Sequence, residues 1–279
     1  MPSTMEIPFT TFGDNGSPLH FAHANGYPPG AYRQFLTALA RRYRVLAMDQ
    51  RPLWPGEAPD QLQSWRLFAG DLLRFLQQQA LHDVIGVGHS LGAVATMMAA
   101  LKEPDRFRAL VLIEPVFLPP ELLEAAAAAP QQAANTDMVT RTLKRRHRWP
   151  GAQAAFDRYR SKRVFQRLSD EALWDYVSAG LQETDDGLLA LRFPREWEAA
   201  IYARPPLDVW ELIPQVSHPT LAVRGEHSQT LQPADWERWQ QLQPDARFVQ
   251  MDGAGHLLPL EQPQRLADTV LRFLAEETR

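Results

Sequence analysis

No cysteine occurs in the 279 residues, which removes disulfides, thiolate metal sites and cysteine nucleophiles at once. Long apolar runs are missing too: no window approaches the ~20 residues of a membrane span, and residues 125–129 are a short alanine helix. Residues 1–12 carry no basic stretch followed by an apolar run, so no signal peptide is expected. Charge of one sign is scarce, with a net charge of −4, which argues against nucleic acid as a partner. No cluster of metal ligands or nucleotide-binding fingerprint stands out, so no metal or organic cofactor is expected. What is present is the balance of a globular chain, 45% hydrophobic and 22% charged, long enough to bury a core without staples. A cytoplasmic protein is the default expectation.

The first part alternates strand and helix. Residues 7–12 and 19–24 read as extended segments around the turn Gly13-Asp14-Asn15-Gly16. Residues 31–42 have helical spacing, with Tyr32, Phe35, Leu36 and Leu39 on one face. A strand over 43–48, an amphipathic helix over 62–79, a strand over 84–87, a helix over 91–102 and a buried strand over 109–113 come next. This alternation argues for a mostly parallel sheet covered on both faces. From about 115 to 214 only helices are expected: 121–129, 137–148, 152–162, 170–182 and 195–203. Alternation resumes with strands at 220–224 and 247–251 and a last helix at 264–276.

Gly88-His89-Ser90-Leu91-Gly92 comes after a strand and opens a helix. Such a turn forces its serine into a tight backbone geometry, and the glycines avoid collision with neighbouring backbone. Ser90 is therefore the expected nucleophile. Acyl transfer needs two backbone N–H donors aimed where the carbonyl oxygen becomes charged; Leu91, after the nucleophile, and Asn25, in the His23-Ala24-Asn25-Gly26 loop, are the expected pair. His256, in Asp252-Gly253-Ala254-Gly255-His256 after the last strand, is the expected general base. His89 reads as a packing residue, and His20, His82, His147 and His218 as surface or turn residues.

Taken in order, the loop at His23, the elbow at Ser90, the helical stretch after Ile113 and the Gly-His loop at His256 resemble the α/β-hydrolases. The resemblance spans nearly the whole chain. It implies an α/β fold with a mostly parallel eight-stranded sheet flanked by helices. The core would comprise residues 1–115 and 215–279, with an inserted helical cap over 116–214 and the active site between them. Haloalkane dehalogenases and epoxide hydrolases of this family use an aspartate nucleophile, so Ser90 argues against both.

The resemblance also implies an aspartate shortly after the strand ending at Arg224-Gly225. Ser228 and Gln229 stand there instead, and neither carries charge. Glu114, at the end of the strand over 109–113, is the preferred acid; an acid there resembles the haloalkane dehalogenases that take theirs from this strand. Ser90, Glu114 and His256 keep the nucleophile–acid–base order of the fold. Glu226, early in the usual loop, and Asp235, beyond it, are the alternatives, and Glu114 also reads as a hinge residue paired with a basic cap side chain.

Arg141, Lys144, Arg145, Arg146, His147 and Arg148 read as a solvated helix face with cations near its C-terminus, ahead of an acidic-substrate site. Met97 and Met98 read as core. The tryptophans of the helical stretch and Tyr176 read equally as pocket lining or as packing. The expected activity is hydrolysis of a small or medium carboxylic ester through an acyl-enzyme, with a small-molecule ester as partner and neither nucleic acid nor membrane. A thioesterase, a lactonase, a carbon–carbon bond hydrolase or a weakly catalytic ligand-binding member stay open, as does oligomeric state.

Overall fold

The computed structural model describes residues 5–277; Met1–Thr4, part of the stretch read for a signal peptide, lie outside the described residues. The chain begins with β1 (Phe9–Phe12), β2 (Pro18–Ala22), α1 (Arg33–Leu39), β3 (Arg44–Met48), α2 (Arg66–Gln78), β4 (Val84–His89), α3 (Leu91–Lys102) and β5 (Phe107–Ile113). A long excursion comes next: α4 (Pro120–Ala128), α5 (Pro130–Ala133), α6 (Asp137–Leu143), β6 (Arg148–Trp149), α7 (Ala152–Arg160), α8 (Asp170–Gly180), β7 (Leu181–Glu183), β8 (Leu189–Leu191), α9 (Arg195–Tyr202) and α10 (Val209–Leu212). The chain then returns through β9 (Thr220–Gly225), α11 (Pro233–Leu242), β10 (Arg247–Met251), α12 (Leu258–Glu261) and α13 (Pro263–Glu277).

The main sheet has the order β1-β3-β2-β4-β5-β9-β10. All neighbours are parallel except the edge pair β1 and β3. Strand residues alternate between two cores, as the period of two requires. On β5, Leu110 and Leu112 join α2, α3 and α11 on one face. Ala109, Val111 and Ile113 join α1 and α13 on the other. Both faces are thus apolar, and the central strands read as near-continuous hydrophobic runs. Among the described residues no helix is long and apolar enough to cross a membrane.

Four expectations are corrected. The sheet has seven strands among the described residues, not eight: residues 5–8 lie in no strand, and Pro8, with no N–H to give a ladder, only accepts the Asp49 N–H at 2.9 Å. The stretch over 115–214 is not purely helical; β6, β8 and β7 form a small antiparallel sheet. Its hairpin turns at Asp185-Asp186-Gly187, where Gly187 takes a φ of +75°, a turn sequence the helical periodicity around it obscured. The helix expected over 137–148 ends at Leu143, since the run of cations beyond it repels itself along a helix and Arg148 and Trp149 pair with β8 instead. His20 is not a surface residue but fully buried on β2, its ring 5.6 Å from that of Phe75.

Candidate active site

β4 is the fourth of seven strands, so the turn at its end stands at the centre of the sheet's C-terminal edge. Ser90 is the residue between β4 and α3, at φ 56° and ψ −117°, a conformation a non-glycine residue holds only when its surroundings enforce it. The enforcement is visible on both sides. A Cβ at Gly88 would lie 2.4 Å from the Gly92 carbonyl oxygen, and one at Gly92 would lie 2.1 Å from that of Ala22. Only glycine lets strand, turn and helix approach this closely.

Register brings the acid alongside. His89 pairs with Ile113 across β4 and β5, so the next residue on each strand, Ser90 and Glu114, emerges at the same edge. The Ser90 N–H donates to the Ile113 carbonyl at 3.0 Å, and the Glu114 N–H donates to that of Val223 at 2.8 Å. Glu114 also has positive φ, at 49°. Its carboxylate is fully buried and accepts from the Gly225 N–H at 2.6 Å and from the Ser228 hydroxyl at 2.5 Å. A buried anion is tolerable only with partners of this kind.

His256 completes the row. Its Nδ1–H donates to Glu114 Oε2 at 2.9 Å, and its Nε2 accepts from the Ser90 hydroxyl at 3.0 Å. Such a row can move a proton from hydroxyl to imidazole while the carboxylate steadies the cation that results. Ser90 is nearly buried, at 6% exposure, whereas the His256 side chain is partly open, lining a depression of about 520 Å³ with Ser228, Gln229, Arg163 and Arg167. The alternative acids make no contact with His256 among the described residues: Glu226 accepts from the Gly253 N–H, and Asp235 is buried on α11.

The loop after β2 carries Asn25 in a turn closed by the Tyr27 N–H donating to the Ala24 carbonyl at 3.2 Å, with Gly26 at φ +81°. The Asn25 side-chain amide donates to the Glu198 carbonyl at 3.1 Å. Among the described residues no turn or loop hydrogen bond uses the N–H of Asn25 or Leu91. That of Leu91 belongs to the first turn of α3, where backbone donors have no intrahelical acceptor.

Three further residues frame the site. His89 joins its two halves: the Ala24 N–H donates to the Tyr32 hydroxyl at 3.1 Å, that hydroxyl donates to His89 Nδ1 at 2.8 Å, and His89 Nε2–H donates to the His256 carbonyl at 2.8 Å. Burial, and next the neighbouring His256, hold the His89 imidazole well below its ordinary pKa, as a neutral ring with one donor and one acceptor needs. Gln50 braces the other loop, its backbone N–H meeting His23 Nε2 at 3.1 Å and its side chain donating to the His23 carbonyl at 2.7 Å. Burial lowers His23 to about 4. Glu261 accepts from the Gly255 N–H at 2.6 Å, anchoring the loop that carries His256. The sequence marks none of these roles; around Gln50 it reads only as a loop near the active edge.

The tryptophans divide. Trp149 and Tyr176 line a second cavity, Trp197 and Trp210 belong to the core, and Trp174 stacks on Phe156 at 4.4 Å. Met97 and Met98 are core residues as expected.

A hydroxyl on a strand–turn–helix elbow at the centre of a mostly parallel sheet, faced by a histidine from the loop after the last strand, defines the α/β-hydrolase architecture. Residues 21–269 match the alpha/beta hydrolase family, and the chain belongs to that family. It is 25% identical over 264 residues to the 2-(acetamidomethylene)succinate hydrolase of Mesorhizobium japonicum, covering 93% of this chain and 88% of that one. It is 26% identical over 239 residues to the esterase YbfF of Escherichia coli, covering 85% and 84%. The crystal structure of an E-2-(acetamidomethylene)succinate hydrolase superposes with a TM-score of 0.79 at 23% identity, over 96% of this chain and 94% of that chain.

Proposed function

We propose that this chain is a serine hydrolase that cleaves a carboxylic ester through an acyl-enzyme, with 116–214 acting as a cap over a core of 1–115 and 215–279. The observation that carries the reading is the continuous row from Ser90 Oγ through His256 to Glu114, at 3.0 and 2.9 Å. His256 takes the hydroxyl proton as Ser90 Oγ bonds to the carbonyl carbon. The backbone N–H groups of Asn25 and Leu91 receive the oxygen that becomes negative. His256 then gives its proton to the departing alkoxide, the C–O bond breaks, and the alcohol leaves. Water, losing a proton to the same imidazole, attacks the acyl-enzyme, and the proton returns to Ser90 as the acid departs. Membership of a hydrolase family and an esterase relative support this reading.

Thioesters, lactones and activated carbon–carbon bonds suit the same row, and the substrate choice rests on what the cap admits. A weakly catalytic ligand-binding protein has less support, because a carboxylate reaches His256 although Ser228 occupies the place of the usual aspartate. A cytoplasmic location is part of this proposal. The test is hydrolysis of p-nitrophenyl esters of increasing acyl length by the wild type and by Ser90→Ala. Turnover abolished in the variant is the expected result; turnover retained in it would remove Ser90 as nucleophile.

A further inference from the structure

The basic run around 141–148 is solvated as its sequence suggests, but it is not the face of one helix. α6 stops at Leu143, and the residues beyond it edge a cavity of about 440 Å³. Six cations line that cavity, Arg141, Lys144, Arg145, Arg146, Arg158 and Lys162, against one carboxylate, Glu198. The whole chain carries a net charge of −4, so this is local segregation of charge and not a consequence of composition.

The acids at hand do not neutralise it. Glu198 is ion-paired with Arg145, and exposed Asp137 stands 3.6 Å from Arg141. Among the described residues Lys144, Arg146, Arg158 and Lys162 have no carboxylate in ion-pair reach. Arg145 lies among aromatic hydroxyls: its guanidinium donates to those of Tyr159 and Tyr176, each at 3.4 Å. Trp149, 1% exposed, lines the same cavity with its indole N–H lacking a partner. The Trp149 indole N–H is thus a buried donor without an acceptor, and the exposed ammonium and guanidinium groups around it are donors without acceptor capacity, a set that complements an acceptor bearing negative charge.

The cavity adjoins the reacting row. Tyr27 on its wall directly succeeds the Asn25-Gly26 turn, and the Glu198 carboxylate would meet a Cβ at Gly26 at 3.4–3.6 Å. Val164 is shared with the depression lined by His256, which adds Arg163 and Arg167 to the positive surroundings. We infer that this cavity is a recognition subsite for an unreacting carboxylate on the substrate, so that the natural ester carries such a group in its acyl or alcohol half. Arginine forks match a carboxylate in two parallel hydrogen bonds, and the tyrosine and tryptophan walls accept the carbon body between carboxylate and ester.

The inference rests on the hydrolytic reading, and the experiment separates the two. The p-nitrophenyl hemi-esters of succinate and glutarate are compared with neutral p-nitrophenyl esters of matched length. The hemi-esters are expected to show a kcat/KM about tenfold higher, in line with a charge-assisted hydrogen bond, and the advantage should shrink as salt screens it. In Lys144→Gln/Arg158→Gln the ratio of hemi-ester to neutral kcat/KM should fall towards one, whereas Arg42→Gln, outside the cavity, should leave it in place. Equal kcat/KM for the two ester classes in the wild type would overturn the subsite. In parallel, calorimetry on Ser90→Ala with succinate and with inorganic phosphate needs no turnover. Saturable succinate binding, weakened in the double substitution, supports the subsite even if no ester is cleaved. Phosphate binding tighter than succinate, or binding of neither, overturns the carboxylate assignment whatever the esterase result.

Discussion

Ser228 donates its hydroxyl to Oε2 of Glu114 at 2.5 Å, the same carboxylate oxygen that receives Nδ1–H of His256 at 2.9 Å. The Ser228 oxygen in turn accepts the Leu231 N–H at 3.0 Å and the Thr230 N–H at 3.3 Å. The loop after β9 thus contributes a hydroxyl that holds the carboxylate, and β5 contributes the carboxylate itself.

This arrangement makes Ser228 and Glu114 separable by mutation. Ser228→Ala removes one hydrogen bond from a buried anion and should lower kcat by about tenfold. Ser228→Asp puts two carboxylates in contact, and like charges at that range resist joint ionisation. Its activity should fall further, with the pH optimum moving upward because extra negative charge favours protonated His256. A stopped assay across pH 6–9 reads both effects; an unchanged profile in Ser228→Asp would contradict the contact.

Glu114→Gln keeps the shape of the side chain and removes its charge. By analogy with loss of a triad carboxylate, kcat should fall by about 10³–10⁴. Adding Ser228→Asp to Glu114→Gln returns a carboxylate beside His256 and should recover at least about tenfold of that loss. Near-normal turnover in Glu114→Gln alone would take Glu114 out of the mechanism.

Tyr32→Phe severs the link from the Ala24 N–H to His89 while retaining the ring, which packs against Phe21 at 4.7 Å. Leaving the Ala24 N–H and His89 Nδ1 unsatisfied should cost about 1–3 kcal/mol, readable as a lower midpoint in chemical denaturation. Turnover should fall as well, since both loops flanking Ser90 lose their common tie. Stability and kcat both equal to wild type would show that the link carries neither function.

His20 is buried with both ring nitrogens unpartnered among the described residues. Burial, with a smaller contribution from His23, lowers its pKa to about 3 from 6.5. Protons therefore bind the unfolded chain in preference below pH 6.5, so this contribution to stability is complete above that pH and declines as pH falls towards 3. His20→Leu removes the liability. The variant's advantage over wild type should widen by about 2 kcal/mol between pH 6.5 and 5, measured by denaturation at each pH. Comparing the two chains cancels the opposite trend from carboxylates such as Asp49 and Glu198, whose pKa values burial raises. A constant difference across that range would show that His20 is not the acid-sensitive group.

Local signals were legible wherever chemistry and spacing sit together. The flanking glycines at 88 and 92 announced the Ser90 turn, and the extended segments read at 7–12, 19–24, 43–48, 84–87, 109–113, 220–224 and 247–251 overlap all seven strands of the main sheet, although β1 and β10 are not apolar runs. Glu114 drew notice only because the family resemblance implies an aspartate where Ser228 and Gln229 stand, and its carboxylate lies 2.9 Å from His256 Nδ1. The hidden features depend on partners far along the chain. Nothing near His89 signals its bond to a carbonyl 167 residues away, and nothing near Gln50 signals its hold on His23. The basic run misled because helical spacing extends through it, whereas the ion pair of Arg145 with Glu198 and the pairing of β6 with β8 are tertiary choices that override propensity.

Ser90 and Glu114 stand at the ends of β4 and β5, adjacent strands joined by a single helix, whereas His256 arrives only after the excursion and two more strands. During synthesis the ribosome therefore delivers serine and carboxylate close together, and adds the imidazole only once the whole of 116–214 and both β9 and β10 have been made. On the proposed chemistry, a nascent chain or one cut short within 116–214 carries a serine with no base to activate it. The order of residues along the chain thus acts as a timer that keeps hydrolysis silent until the segments over 116–214 that are proposed to screen the substrate already exist.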